Sequence, residues 1–353
     1  MSHSAIIPQS LVWKNAFLEI LDQTQLPGKE TYISLYNPEE VREAILALKV
    51  RGAPAIGIAA AYGLCLVKPD QDSELDYIER LEEAYQRLST SRPTAVNLNW
   101  ALKRMMRVLE TLSSDISPVR IHQALIAEAE RIHEEDKRLC QLIGENGRSL
   151  IPDQAHILTH CNTGSLATGQ FGTALSVIYH AHLQGKNPHV WVDETRPLLQ
   201  GSRLTAWELM RAGICHTVIT DSMAAWVMKK KKVDIILTGA DRVTQNGDTA
   251  NKIGTYALSV LAKHHGIPFY VALPSSTYDH SLSHGDDIPI EERDATEVRS
   301  TGNTLTTPVS SPVFNPAFDI TPGRFITGFI TEKGVLYPPY EQSLPVLADT
   351  SEK

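Results

Sequence analysis

Residues 155–159, Ala-His-Ile-Leu-Thr, form a short β-rich run, and the polar residues 161–165, Cys-Asn-Thr-Gly-Ser, follow it directly. A helical pattern then begins at Leu166 and extends to His182. A strand, a polar turn and a helix in this order are the signature of a βαβ unit. The stretch therefore predicts the start of a parallel, Rossmann-like sheet.

The same order of strand, polar turn and helix repeats toward the C-terminus. Further β-rich runs cover residues 189–192, 217–220, 233–237 and 268–273, and further helical patterns cover residues 204–212, 223–230 and 251–265. Ligands of such open sheets bind outside the carboxyl ends of the strands. The residues just past each run are therefore site candidates, and they include Cys161, Asp193, Glu194, Arg196, Asp221, Asp241 and Ser275.

The preceding part of the chain is predicted to be mainly helical. Apolar residues recur at helical spacing around residues 41–48, 59–64, 75–88 and 121–143. Between the first two helices, Gly52 and Pro54 interrupt the pattern and expose backbone N–H groups at a helix start, which predicts an anion-binding turn. Arg92 is expected on a later connecting loop.

These patterns predict an α/β protein with two domains. We expect a small, mainly helical N-terminal domain over residues 1–145 and a Rossmann-like domain with a parallel sheet over residues 146–345. Residues 346–353 contain few apolar side chains and are expected to form a flexible tail.

Composition excludes several classes of function. The chain has 353 residues and a net charge of −8. It therefore lacks the excess of positive charge that nucleic-acid binding requires. No secretory leader or run long enough to span a membrane is evident. The four cysteines are widely spaced, so neither a disulfide framework nor a zinc ribbon is predicted. A cytoplasmic protein without nucleic-acid or membrane partners is expected.

Common cofactor and nucleophile motifs are absent from the sequence. It contains no GxxxxGK[ST] or GxGxxG loop, no HExxH and no GxSxG. The sequence therefore lacks the motifs that usually identify an NTPase or a dehydrogenase. Nothing in the sequence requires a metal. We expect the protein to work without a cofactor.

Cys161 and Asp241 are the most reactive candidates, although each has a structural alternative. A free cysteine is often an inert, buried apolar residue, but a thiol near a helix N-terminus has a transferable proton. An aspartate after a strand often caps a turn, but a carboxylate in a pocket can act as acid or base. The two residues, with cations at Arg51, Arg92, Arg196 and Lys252, suit an anionic small molecule that isomerises by proton transfer.

Residues 246–254, Asn-Gly-Asp-Thr-Ala-Asn-Lys-Ile-Gly, strengthen the case for an anionic ligand. They form a polar, glycine-containing lead into the helical pattern of residues 251–265, with Lys252 expected in its first turn. Such a helix start is suited to hold a phosphate group. These residues therefore favour an anionic small molecule, with a phosphate group held at this helix start.

These residues lie within strings that resemble the methylthioribose-1-phosphate isomerase family of methionine salvage. The resemblance covers nearly the whole chain. The strings are VRGAPAIG at 50–57, SRPTAVNL at 91–98, CNTGS at 161–165, ETRPLLQGSRLT at 194–205, TDSMAA at 220–225, GADR at 239–242, NGDTANKIGTY at 246–256 and NPAFDITP at 315–322.

The resemblance implies roles for individual residues. It implies that Cys161 is the essential thiol and Asp241 the acid/base carboxylate. The substrate contacts that it implies are Arg51, Gly52, Ala53, Arg92, Gln200, Asn251 and Lys252. It also implies a helical N-terminal domain joined to a Rossmann-like domain, a homodimer, and isomerisation of 5-methylthioribose 1-phosphate to 5-methylthioribulose 1-phosphate.

Two other functions remain open at this point. The same fold resembles the regulatory subunits of the eukaryotic translation-initiation exchange factor, which implies a non-catalytic module that binds sugar phosphates or nucleotides. A related isomerase of ribose 1,5-bisphosphate or 5-deoxyribose 1-phosphate would use the same core chemistry. The sequence does not locate the pocket for C5 of the sugar, which distinguishes these substrates.

Overall fold

The computed structural model describes residues 7–69, 74–92, 96–112, 116–302 and 304–348. The chain divides into two compact units. The first unit contains the chain up to residue 138 together with residues 165–172, and the second contains residues 139–164 and the chain from residue 173 onward. Each unit is described by itself.

The first unit combines five helices with a small sheet. The helices are α1 (Pro38–Leu46), α2 (Ala53–Cys65), α3 (Glu74–Ser89), α4 (Val96–Thr111) and α5 (Pro118–Gly147), whose residues from 139 onward belong to the second unit. The sheet is antiparallel, in the order β1 (Leu11–Trp13), β2 (Leu18–Leu21) and β3 (Tyr32–Leu35). Helices α1, α2, α3 and α5 are those that the apolar periodicity predicts, whereas α4 and the three short strands have no counterpart among the predicted patterns.

Helix α2 lies at the centre of this unit. Its sequence is Ala-rich and apolar on every side, and all of its residues from Ala55 to Cys65 are buried. A helix without a polar face is stable only when other elements surround it. Its core neighbours come from α1, α3, α4, α5 and the small sheet. The turn that precedes α2 is therefore fixed to a rigid element.

The second unit is built on a seven-stranded sheet with helices and smaller strands around it. Its strands are β4 (His156–Thr159), β5 (His189–Asp193), β6 (Cys215–Ile219), β7 (Ile235–Thr238), β8 (Arg242–Val243), β9 (Thr249–Lys252), β10 (Phe269–Ala272), β11 (Ser300–Thr301), β12 (Thr304–Leu305), β13 (Phe318–Thr321), β14 (Gly328–Thr331) and β15 (Gly334–Leu336). Its own helices are α6 (Ala174–Leu183), α7 (Ala206–Arg211), α8 (Ala224–Lys229), α9 (Thr255–His265), α10 (Thr296–Arg299) and α11 (Tyr340–Ser343).

The main sheet has the order β15-β14-β10-β7-β4-β5-β6, and all its strands are parallel except β15. The five predicted runs are β4, β5, β6, β7 and β10. Strands β4, β7 and β10 are buried along nearly their whole length, as parallel strands covered on both faces must be. The predicted α/β class with a Rossmann-like parallel sheet is confirmed.

The prediction of a helix from residue 251 is wrong at its start. Residues 249–252 form β9, which pairs with β8 on one side and with β13 on the other, and α9 begins only at Thr255. Lys252 therefore ends a strand instead of lying in the first turn of a helix. The partner strand β13 is more than sixty residues away in the sequence, so local periodicity did not reveal this pairing.

Two further expectations concern the ends of the predicted domains. The predicted boundary after residue 145 falls within α5, and the two-domain division at that point stays a prediction. The flexible tail is expected from residue 346, but Leu347 is 2% exposed and packs in the core of the second unit. Residues 349–353 lie outside the described residues. Among the helices that the structure describes, none is long and apolar enough to cross a membrane.

Candidate active site

Cys161 and Asp241 follow two adjacent parallel strands. Strand β4 lies between β5 and β7, and the chain passes from β4 to β5 and β6 before it returns to β7 on the other side of β4. Cys161 comes just after β4, and Asp241 comes just after β7. A change of direction in strand order opens a crevice at the carboxyl ends of the strands, where ligands of such folds bind. The two candidates thus lie at the expected ligand site of this unit.

Close packing brings the loops after β4 and β7 together. A Cβ atom added to Gly239 would lie 2.7 Å from Cγ2 of Thr163. A Cβ atom added to Gly164 would lie 2.3 Å from a carboxylate oxygen of Glu208. Real Cβ atoms do not approach other atoms so closely, so both positions require glycine unless their neighbours move. The glycines in CNTGS and GADR therefore allow this close packing.

Cys161 is buried and adopts a left-handed backbone conformation with φ of 62°. Its N–H donates to Oγ1 of Thr195 at 2.8 Å, and its carbonyl accepts from Oγ1 of Thr205 at 2.6 Å. Thr195 is also left-handed, with φ of 66°. Each such non-glycine residue costs about 1–3 kcal/mol, which the surrounding contacts must offset. Two strained residues are therefore hydrogen-bonded to each other at the candidate site.

A buried polar network follows Cys161. Asn162 donates from Nδ2 to Oε1 of Glu208 at 2.7 Å and to Oγ1 of Thr205 at 3.1 Å. The Tyr179 hydroxyl donates to Oε2 of Glu208 at 3.2 Å. Burial, and then the negative charge of Glu208, raise the pKa of Tyr179 well above its ordinary value. Tyr179 therefore keeps its proton and holds the carboxylate that anchors the CNTGS loop.

His160 and Asp193 form a buried pair beneath the same loop. Nδ1 of His160 lies 3.0 Å from Oδ2 of Asp193, and Nε2 lies 2.9 Å from the carbonyl oxygen of Ile253. Burial lowers the pKa of His160, but the hydrogen bond and charge of Asp193 outweigh it and give a net increase. Burial also raises the pKa of Asp193. The Nε2–H group donates to Ile253, and the pair shares a further proton between Nδ1 and the carboxylate.

Asp221 joins this pair in a cluster of three potential metal ligands. One donor atom from each of His160, Asp193 and Asp221 lies within 4.8 Å of the others. Both nitrogens of His160 face oxygen atoms, however. The two carboxylate oxygens of Asp221 accept from the N–H groups of Thr195 and Arg196, each at 2.8 Å. A metal ion would have to break these bonds, so the cluster fits a hydrogen-bonded support better than a metal site.

Asp241 is anchored to the strand that carries the predicted substrate contact Asn251. Its N–H donates to the carbonyl of Ala250 at 2.9 Å. Asn251 is 4% exposed, and its Nδ2 donates to Oγ1 of Thr255 at 2.9 Å. The backbone pairing thus places Asp241 and Asn251 on neighbouring chain segments past the carboxyl end of β7.

Lys252 ends the same strand. Its Nζ donates to the carbonyl of Ala317 at 2.8 Å and lies 4.7 Å from the centre of the Phe318 ring. Both contacts come from the beginning of β13 or the residue before it, so the small antiparallel sheet fixes the position of the ammonium group. An ammonium group has three donors and a positive charge, which suit an anionic ligand.

Gln200 and Arg196 come from the loop after β5, and the structure gives them different surroundings. Gln200 is 7% exposed, and its buried Oε1 has no hydrogen-bond partner among the residues that the structure describes. Such an atom is costly unless a ligand or water satisfies it. The guanidinium of Arg196 instead donates to the backbone carbonyls of Pro197, Val298 and Ser300. Arg196 therefore fixes a loop through backbone hydrogen bonds.

The remaining predicted contacts belong to the first unit. Helix α2 begins at Ala53, directly after Gly52, as predicted. Gly52 has φ of 95°, and an added Cβ would lie 2.5 Å from Cα and from the carbonyl oxygen of Ala167. The first N–H groups of a helix lack partners within it and attract anions. Arg51 precedes this turn, and Arg92 lies just before residues 93–95, which are outside the described residues.

Two residues of the site, His160 and Glu208, were not singled out from the sequence. His160 lies next to Cys161 at the end of a β-rich run, and Glu208 lies between the apolar residues Trp207 and Leu209 of a helical pattern. A charged residue at an apolar helix position was the available signal for Glu208. Their partners come from other segments, so only the folded chain brings the network together.

Comparison with known proteins places this geometry in a family. The chain matches the Initiation factor 2 subunit family over residues 49–338. It is 53% identical over 340 residues to a protein of Heliobacterium modesticaldum named methylthioribose-1-phosphate isomerase, covering 96% of this chain and 98% of that protein. It is 52% identical over 342 residues to a protein of Moorella thermoacetica named 5-deoxyribose 1-phosphate isomerase, covering 96% of this chain and 97% of that protein. A crystal structure of 5-methylthioribose 1-phosphate isomerase from Pyrococcus horikoshii is similar with a TM-score of 0.93 and 43% identity, over 98% of both chains.

Proposed function

The chain belongs to the Initiation factor 2 subunit family, and we propose that it is an isomerase that converts 5-methylthioribose 1-phosphate to 5-methylthioribulose 1-phosphate in methionine salvage. The observation that carries this proposal is the position of Cys161 and Asp241 after adjacent strands, where the strand order changes direction. The predicted resemblance to methylthioribose-1-phosphate isomerases is confirmed by relatives of that name that match nearly the whole chain.

The substrate determines what the site must do. Its phosphate is attached to the anomeric oxygen, so the sugar cannot open to a free aldehyde in the usual way. The bond between C1 and the ring oxygen must break, and the ring oxygen must gain a proton. Hydrogen then passes from C2 to C1, either as a hydride or as a proton that leaves C2 to give an enol and returns at C1, and the hydroxyl on C2 loses its proton as the carbonyl forms. These changes balance and require a group that exchanges protons with oxygen atoms.

We assign Asp241 to the proton exchange at the sugar oxygens and Cys161 to the hydrogen that moves between C2 and C1. Support for the assignment comes from the close packing of the two loops through Gly239 and Thr163. Oriented catalytic groups remove much of the entropic barrier of such a step. Burial of Cys161 favours a site from which water is excluded during the transfer.

The resemblance implies the substrate contacts, and their chemistry suits an anionic sugar. In the second unit, Gln200 offers a buried Oε1 without a hydrogen-bond partner among the described residues, and Lys252 offers a positive charge held in place by Ala317. Asn251 offers a buried amide on the same strand. The α2 N-terminus at Gly52 and Ala53, which follows Arg51, has the chemistry of an anion site, and Arg92 stays a predicted contact.

A second candidate substrate is 5-deoxyribose 1-phosphate, because one relative at 52% identity has the name of that isomerase. Both sugars have an anomeric phosphate, so the chemistry at C1 and C2 is the same. They differ only at C5, where a methylthio group replaces a hydrogen. Ribose 1,5-bisphosphate carries a second charged group at that carbon and needs a further cationic pocket.

Turnover of these three sugars by the purified protein tests the proposal. Formation of the ketose is followed by proton NMR, without added metal or nucleotide. We expect the highest kcat/KM with 5-methylthioribose 1-phosphate, because apolar contacts to the methylthio group would add about 1–3 kcal/mol of selectivity for this sugar. Binding without turnover of any of the three would favour a regulatory module. Preference for 5-deoxyribose 1-phosphate would favour the second candidate.

The homodimer and the cytoplasmic location remain proposals. The resemblance implies the dimer, and the composition of the sequence led us to expect the location. Light scattering of the purified protein at several concentrations tests the oligomeric state. We expect the mass of two chains throughout.

A further inference from the structure

We propose that Thr195 is a positioning residue for Cys161 and that Asp221 anchors Thr195. This inference rests on the proposed function, since it concerns how the thiol of that site is oriented. All the residues that carry it lie in the second unit and come from the loops after β4, β5 and β6. These strands are neighbours in the sheet, in the order β4-β5-β6.

The Thr195 hydroxyl connects the loops after β4 and β5. Its Oγ1 accepts from the N–H of Cys161 at 2.8 Å and donates to the carbonyl of Asp193 at 3.1 Å. The residue is completely buried. A β-branched residue with a positive φ is a genuine outlier, and such strain clusters at functional sites. Both partners of the hydrogen bond, Thr195 and Cys161, have a positive φ.

Asp221 stabilises the strained turn from the next strand. Its Oδ1 accepts from the N–H of Thr195 and its Oδ2 from the N–H of Arg196, both at 2.8 Å. Two bonds from a carboxylate to successive N–H groups fix the local backbone more firmly than neutral acceptors would. A continuous line of hydrogen bonds therefore runs from Asp221 through Thr195 to the backbone of Cys161.

The direction of the Cys161 side chain depends on its own φ and ψ. Without the Thr195 hydroxyl, the N–H of Cys161 loses its partner and the residue can relax toward an unstrained conformation. A shift of the reacting atom by about 1 Å can reduce turnover on the order of 100-fold. Thr195 touches neither reacting carbon in this proposal, so it acts only through Cys161.

Three variants test this proposal by kcat and KM. Thr195→Val keeps the shape and removes the hydroxyl, and we expect kcat to fall about 10- to 100-fold with KM changed less than about threefold. Thr195→Ser keeps the hydroxyl and should retain kcat within about threefold of wild type. Thr331→Val is the matched control, because its buried hydroxyl also donates to one carbonyl and accepts from one backbone N–H, near the far edge of the sheet. The control should retain wild-type kcat.

A second measurement does not depend on turnover. Iodoacetamide labels thiols, and peptide mass spectrometry separates the labelling of Cys161 from that of the exposed Cys215. We expect Thr195→Val to change the labelling rate of Cys161 at least about threefold, with no change at Cys215. If Thr195→Val does not fold, Asp221→Asn replaces it, because an amide has one oxygen for the two N–H groups. We expect Asp221→Asn likewise to change the labelling rate of Cys161 at least about threefold, with no change at Cys215.

The outcomes separate this inference from the proposed function. An inactive wild-type protein overturns the proposed function, while altered labelling of Cys161 in the variant still supports the positioning role. An active wild-type protein with near-normal kcat and labelling in folded Thr195→Val overturns the positioning role alone. An equal loss of kcat in Thr331→Val also overturns it, because the effect would then reflect general destabilisation.

Discussion

The residues proposed for chemistry depend on neighbours that have no chemical role themselves. Cys161 is hydrogen-bonded through its backbone to Thr195 and Thr205. Asp241 is fixed through its backbone N–H to Ala250. Both backbones are therefore held by hydrogen bonds, which lowers the cost of orienting the two groups during reaction. The supporting hydroxyls and carbonyls are as much a part of the site as the thiol and the carboxylate.

His133 in the first unit predicts a loss of stability at acid pH. It is buried, its Nε2–H donates to the carbonyl of Gly169 at 3.1 Å, and its Nδ1 accepts from the hydroxyl of Tyr62 at 3.2 Å. Burial, and then the positive charge of Lys137, lower the pKa of His133 from 6.5 to about 4. Below pH 6.5, His133 therefore becomes protonated in the unfolded chain, whereas in the folded chain it stays neutral until the pH approaches 4.

The expected loss is about 2 kcal/mol between pH 7 and pH 5, since the contribution is present above the unfolded pKa and lost as pH falls toward the folded pKa. Urea unfolding of wild type and His133→Gln at both pH values measures it. At pH 7 the variant should have a lower free energy of unfolding than wild type. This difference should decrease by about 2 kcal/mol at pH 5. The same difference in free energy of unfolding between wild type and His133→Gln at both pH values would contradict the expectation.

At the residue scale, the sequence indicated the reactive side chains but not their supports. Cys161 and Asp241 stood out because each follows a β-rich run, which is a local pattern. His160 and Glu208 did not stand out, because a buried polar group is recognised by its partners and these come from distant segments. Arg196 looked like a substrate cation, yet its guanidinium binds the backbone around residues 298–300.

Among the elements, strands β4 and β7 with their loops form the centre of the site. Their pairing is parallel, with Thr159 opposite Leu237. The glycine after β7, Gly239, lets its loop approach the loop of Thr163. Because protein interiors are close-packed, one added methyl group at this contact must displace one of the two loops.

Gly239→Ala is therefore expected to reduce kcat about tenfold or more and to destabilise the protein by about 1–3 kcal/mol. Adding Thr163→Ser removes Cγ2, the atom that the new methyl group would meet at 2.7 Å. The double variant should recover most of the lost activity and stability. Kinetics and thermal unfolding of the two single variants and the double variant form the test. Simple additivity of the two substitutions would show that the loops do not meet at this contact.

Elements with a strong local period were predicted well, and those made by distant pairing were not. Five of the parallel strands, β4, β5, β6, β7 and β10, and most of the longer helices follow from apolar periodicity over short windows, whereas β14 and α4 do not. Strand β9 was taken for part of a helix, because its pairing with β13 involves residues 318–321. The three N-terminal strands have only three or four residues each and pair only with one another, so they gave too little pattern to recognise.

At the scale of the molecule, the order of strands explains why one sheet can combine so many functional segments. The main sheet grows outward in both directions from the β4–β7 pair. The loops after β4, β5, β6 and β7 therefore all open at the same edge of the sheet. The family includes proteins with different names, and the particular residues in these loops, rather than the fold, determine what each one does.

The central claim is that Cys161 and Asp241 carry out the isomerisation together. The most direct test is the kcat of Cys161→Ala and Asp241→Asn with 5-methylthioribose 1-phosphate, after circular dichroism has established that each variant is folded. We predict that each substitution lowers kcat by about two orders of magnitude or more, as loss of an acid/base group does. Near-wild-type kcat in either folded variant would contradict the claim and remove that residue from the mechanism.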